Sequence, residues 1–89
     1  MLFEWDDNKR EANRLRHKLD LVDGQILFDG RPVVSFQSPR NAEARFISTG
    51  QIGAKCYSVV WTERGEAVRL ISFRRARDGE ERAYRARFG

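Results

Sequence analysis

Ser72 and Arg74 stand two residues apart in the run Arg69-Leu70-Ile71-Ser72-Phe73-Arg74-Arg75-Ala76. Read as a strand, this run puts Leu70, Ser72 and Arg74 on one face and Arg69, Ile71 and Phe73 on the other. Residues i and i+2 of an extended chain have Cα atoms about 6.5–7 Å apart, so one phosphate could meet both the serine and the arginine. The hydroxyl would donate to a phosphate oxygen, and the guanidinium would add permanent charge in a bidentate fork. Arg64, Arg69 and Arg75 flank the pair and would widen the positive surface. The alternative is an edge strand whose arginines only discourage sheet-to-sheet pairing.

Proton transfer has two candidates. His17 is the sole histidine, and imidazole is the side chain whose ordinary pKa lies near neutrality. Its other possible role is structural, a ring nitrogen tying the first helix to the sheet. Tyr84 would serve only if nearby arginines lowered its pKa from about 10; otherwise it packs in the core with its hydroxyl satisfied. Trp5 and Trp61 either stack on bases or anchor the core.

The charge is distributed unevenly. Residues 69–89 hold seven arginines against Asp78, Glu80 and Glu81, a net of +4, whereas residues 1–68 hold ten basic and ten acidic side chains. A basic excess confined to the last quarter and made of arginine predicts a phosphate-bearing partner. A solvated helix that keeps a small protein dissolved is the other reading.

Several classes of chemistry are excluded as expectations. One His and one Cys cannot build a His- or Cys-rich metal centre, and the carboxylates do not cluster. Gly50 and Gly53 lack a following Lys-Ser/Thr, so there is no phosphate loop. No serine lies in Gly-x-Ser-x-Gly. No metal and no cofactor is expected. The single Cys56 forbids an internal disulfide and fits a reducing compartment. No apolar run approaches the roughly 20 residues of a membrane helix, and Met1-Leu2-Phe3-Glu4-Trp5-Asp6 lacks the basic and apolar regions of a signal peptide. These features predict a soluble cytoplasmic protein of one domain spanning residues 1–89.

The elements that must position these residues follow from pattern. Phe3-Glu4-Trp5 is an extended lead-in, and Asp6 or Asp7 caps a helix through about Lys18. In it Ala12, Leu15 and Leu19 form an apolar stripe, and Lys9, Asn13 and His17 a polar one. Asp20 caps a shorter helix over Leu21 to Phe28, weakened by Gly24. Four strands are expected: Val33–Phe36, closed by Ser38-Pro39-Arg40-Asn41; Glu43–Thr49; Tyr57–Thr62; and Ala67–Phe73. Gln51-Ile52-Gly53-Ala54 and Glu63-Arg64-Gly65-Glu66 turn between them. Glu80 to Phe88 reads as a terminal helix. The sum is an α+β domain: two N-terminal helices, an antiparallel sheet of about four strands and a C-terminal helix.

With these residues in view, the chain resembles the BrnT toxin family, small ribonucleases of BrnT–BrnA toxin–antitoxin systems. The likeness runs from Phe3-Glu4-Trp5-Asp6 through Lys9, Asn13 and His17. It resumes with Glu43-x-Arg45, Gly50 and Ser58-Val59-Val60-Trp61-Thr62-Glu63-Arg64-Gly65. It continues in Arg69-x-Ile71-Ser72-x-Arg74-Arg75-Ala76 and closes with Glu81 and Tyr84. It departs where the family has Lys-His-Gly and this chain has Arg16-His17-Lys18, and where Phe73 replaces a small residue. The stretch from Leu21 to Arg40 matches weakly.

The resemblance implies a RelE-like fold, cleavage of RNA that halts translation, and neutralisation by a BrnA-like, DNA-binding antitoxin whose complex with the toxin represses their operon. The toxin would be monomeric alone or part of a higher-order complex with its antitoxin. Arg64, Arg69, Ser72 and Arg74 would form the site, with His17 and Tyr84 as proton-transfer candidates and Arg45, Arg75 and Arg77 on the RNA backbone. The expected reaction is metal-independent attack of the substrate's 2′-hydroxyl on the adjacent phosphate, with Arg74 mattering more to turnover than to folding. The competing expectation is a non-catalytic basic module, a degenerate toxin that binds antitoxin or nucleic acid only.

Overall fold

The computed structural model describes residues 1–38 and 43–89. Asp6 holds extended backbone, and its carboxylate accepts from the amides of Asn8 and Lys9 at 2.7 and 3.2 Å. Helix α1 (Asp7–His17) starts there, as an aspartate N-cap dictates. It stops at Lys18, whose left-handed backbone (φ 61°) lets its amide return to the carbonyl of Arg14. Asp20 then caps a 3₁₀ segment, Leu21–Phe28, by accepting from the Val22 amide.

Five strands follow or precede these helices: β1 (Leu2–Glu4), β2 (Val33–Ser38), β3 (Arg45–Ile52), β4 (Lys55–Arg64) and β5 (Ala67–Arg75). Helix α2 (Asp78–Phe88) ends the chain. The spatial order is β1-β5-β4-β3-β2, antiparallel throughout except that β1 runs parallel to β5. Gly53 and Gly65, with φ of 63° and 57°, each open a two-residue hairpin turn, the position where a tight turn of this kind needs positive φ.

The expected α+β class is observed, with two corrections. The sheet is mixed and five-stranded, because the lead-in Leu2–Glu4 pairs with Ala67–Arg69. Three residues are too few for alternation to reveal a strand. The second helix is 3₁₀, drawn tight against the sheet by Gly24, where a Cβ would stand 2.9 Å from Val59 Cγ2. The strands also extend beyond their expected ends, and residues 39–41 of the predicted turn lie outside the described residues.

Leu21 and Leu27 of the 3₁₀ segment pack on Val59, Val68, Leu70 and Phe73 to form the core. Trp61 belongs to this layer. Its ring lies 5.3 Å from Phe28 and 4.8 Å from Phe46, and its indole N–H donates to Ser48. Trp5 packs partly buried against the same cluster, so both tryptophans anchor the core. The apolar stripe expected of α1 is met only in part: Leu19, just past the helix, packs against the core, but Leu15 is 57% exposed and the helix itself buries Asn13 instead.

The opposite face of the sheet carries α2 on β2 and β3. Among the described residues no helix is long and apolar enough to cross a membrane.

Candidate active site

A bulge in β5 determines which side chains meet. Val60 pairs with Ser72 but Trp61 pairs with Leu70, so Ile71 is an extra residue without a partner. Leu70 and Phe73 therefore both face the core, opposite Trp61 and Val59. Ser72 and Arg74 face the other side, as alternation predicts. Arg69 joins them there, opposite Thr62, whereas simple alternation puts it on the core side. A period-2 reading cannot anticipate an inserted residue.

On this side a groove of about 280 Å³ opens between the end of α1 and the start of α2. Its floor is Ile47, Val60, Ile71 and Ser72, and its rim carries Arg16, His17, Ser38, Arg45, Arg74 and Arg77. A smaller depression of about 250 Å³ continues along α1 past Lys9 and Asn13, sharing Arg16, His17, Ile71 and Ser72 with the groove. The polar stripe Lys9, Asn13 and His17 thus faces β5.

The charges on this rim differ in their freedom. Arg74 is 9% exposed and forks onto the Glu80 carboxylate at 2.7 and 2.9 Å. Burial would raise the Glu80 pKa, but the Arg74 fork, the Arg77 amide at 2.9 Å and the Ser58 hydroxyl at 2.9 Å outweigh it and hold the group at about 2. The pair is therefore close to neutral as seen from the groove. Arg16, Arg45 and Arg77 form no ion pair among the described residues and supply its net positive charge. Burial, then the cations Arg16, Arg74 and Arg77, push the His17 pKa below its ordinary 6.5, so the ring is neutral at pH 7.

Other predicted site residues are placed elsewhere. Arg69 is bound to Glu4 at 2.7 Å, tying β1 to β5. Arg64 sits at the far end of β4, 3.8 Å from Glu43. Arg75 turns to the core side, with its guanidinium 5.5 Å from the Tyr57 ring centre. Tyr84 is buried on α2 beside Phe88 and does not line the groove. Ser72, Arg74, His17, Arg45 and Arg77 are brought together. Sequence reasoning missed Arg16 and Ser38; the adjacency of Arg16 to His17 at a helix end was the available signal for the first.

This arrangement, a cationic groove with a neutral imidazole and a serine hydroxyl on a mixed sheet, suits a protein that binds and processes a phosphate backbone. The family model described as "Ribonuclease toxin, BrnT, of type II toxin-antitoxin system" matches residues 5–80. The chain belongs to that family. No curated protein matches it.

Proposed function

We propose that this chain is a metal-independent endoribonuclease that halts translation by cleaving RNA. The observation that carries this reading is the convergence of His17, Ser72 and four arginines on one groove. The 2′-hydroxyl of the substrate attacks its own phosphate. The O2′–P bond forms, the P–O5′ bond breaks, and the products are a 2′,3′-cyclic phosphate and a 5′-hydroxyl.

His17, neutral at pH 7, accepts the proton of the attacking hydroxyl. The imidazolium so formed, or solvent, then protonates the leaving 5′-oxygen. Arginine is a poor proton shuttle because its pKa exceeds about 12, so Arg16, Arg45 and Arg77 hold the backbone and neutralise the phosphorane. Ser72 donates to a phosphate oxygen. Arg74, locked by Glu80, lends direction rather than free charge. A RelE-like arrangement is consistent with a sheet that carries its site on the face shared with the terminal helix.

A toxin of this kind requires a neutralising partner. A BrnA-like antitoxin would cover the groove, and its DNA-binding portion would let the complex repress its operon. A second reading, a binding module without turnover, draws on the Arg74–Glu80 pair, which occupies the fork that a phosphate would otherwise take.

The test is a chimaeric oligonucleotide with one ribonucleotide in a deoxy strand, incubated in EDTA. Cleavage confined to the 3′ side of the ribonucleotide, leaving a cyclic phosphate, is expected. Cleavage of the all-deoxy control would exclude attack by the 2′-hydroxyl, and tight binding without cleavage would favour the module.

A further inference from the structure

Asn13 is the one buried residue of α1, at 5% exposure. A polar side chain in the place where an amphipathic helix normally puts leucine needs a reason. Its Nδ2 donates to the carbonyls of Leu19 and Phe73, both at 2.9 Å, and its Oδ1 accepts from the Phe73 amide at 2.8 Å. Two carbonyls on one side and an N–H on the other fix the orientation of the amide without ambiguity.

Phe73 lies on the outer edge of β5, beyond the reach of β1, whose pairing stops at Arg69. Asn13 therefore makes the two bonds that a neighbouring strand would have made, to the N–H and C=O of one residue. It does so two residues past the bulge at Ile71.

This clamp joins the two walls of the groove. Phe73 follows Ser72 directly, and His17 is one helical turn beyond Asn13 on the same face. The third bond, to Leu19, fixes the chain just after the left-handed turn at Lys18. With Leu15 exposed, apolar packing from α1 itself does little to hold the helix against β5.

We propose that Asn13 is a positioning residue, whose amide sets the imidazole of His17 against Ser72. The consequence for turnover rests on the ribonuclease reading; the consequence for the surroundings of His17 does not. Misplacing a reacting group by about 1 Å costs on the order of 10²-fold in rate.

The experiment compares Asn13→Ala with the parent below its melting transition, with folding verified by circular dichroism. A kcat reduced about ten- to hundredfold with little change in KM is expected. The sole histidine makes a second readout unambiguous: its pKa, read from its proton resonance by NMR titration, should move up from the depressed parent value as the ring loses its burial against β5 and its fixed relation to Arg74 and Arg77. Asn13→Gln retains the amide on a longer arm, serves as the test if the alanine variant does not fold, and should show the same two changes. A folded variant with parental kcat and parental histidine titration would overturn the proposal and leave Asn13 a purely structural clamp. If the parent itself cleaves no RNA, the ribonuclease reading fails, while the histidine titration still decides the role of Asn13.

Discussion

Arg74 illustrates how far a residue can be read from sequence. Its face was legible, because Ser72 and Arg74 do share one side of β5. Its partner was not, since Glu80 lies six residues on, in the first turn of α2, and only the fold returns it. The partnership alters the expected effect of mutation. Arg74→Ala takes the counter-ion from a largely buried carboxylate that keeps only the Ser58 hydroxyl and the Arg77 amide, and should cost about 3 kcal/mol in chemical denaturation, so loss of activity in that variant would be ambiguous. The same pair makes a pH prediction. Glu80 has a folded pKa of about 2 against an ordinary 4.5. Its contribution is therefore complete above about 4.5 and is lost as pH falls towards 2; Glu80→Gln should flatten that part of the stability–pH curve. His17 acts in the same direction at higher pH. Its lowered pKa means the unfolded chain binds the proton more readily, so stability should fall as pH drops below 6.5, and His17→Gln should remove that dependence.

At the scale of elements, caps and hairpins were legible because each has a local chemical cause. Asp6, Asp20, Gly53 and Gly65 act as their types predict. What escaped depended on distant partners: the parallel pairing of Leu2–Glu4, the bulge at Ile71, and the inward turn of Asn13 in place of Leu15. Two substitutions test the local account. Lys18 is the sole non-glycine with positive φ among the described residues and stands where the resembling family has glycine. Lys18→Gly should raise stability by about 1 kcal/mol, read as an increased denaturation midpoint. Gly24 has no such latitude, because an added Cβ would meet Val59 at 2.9 Å. Gly24→Ala should cost about 1–3 kcal/mol and shift or loosen the 3₁₀ segment, visible as faster amide exchange over Leu21–Phe28.

For the whole molecule, the groove draws its free cations, among the described residues, from both parts of the chain, Arg16 and Arg45 from the balanced first 68 residues and Arg77 from the basic last quarter. The balanced first 68 residues pair much of their charge, as Arg10 does with Asp20 and Arg31 with Asp29. Arg16, Arg45 and Arg77 converge on the groove from a helix, a strand and a connection. The site is thus built from parts scattered over 60 residues of chain, which is why sequence gave its chemistry but neither its membership nor its shape. Binding of RNA should weaken steeply with salt, and Arg77→Ala should reduce the slope of log K against log salt by about 1. The central claim, that the groove is a metal-free ribonuclease site, is tested most directly by incubating total RNA in EDTA with the parent and with Arg77→Ala. Arg77 is exposed, and its side chain makes no ion pair among the described residues, so the variant should keep its fold. The account predicts RNA loss with the parent and a reduction of about 10²-fold with the variant; equal loss with both, or survival of RNA with both, would contradict it.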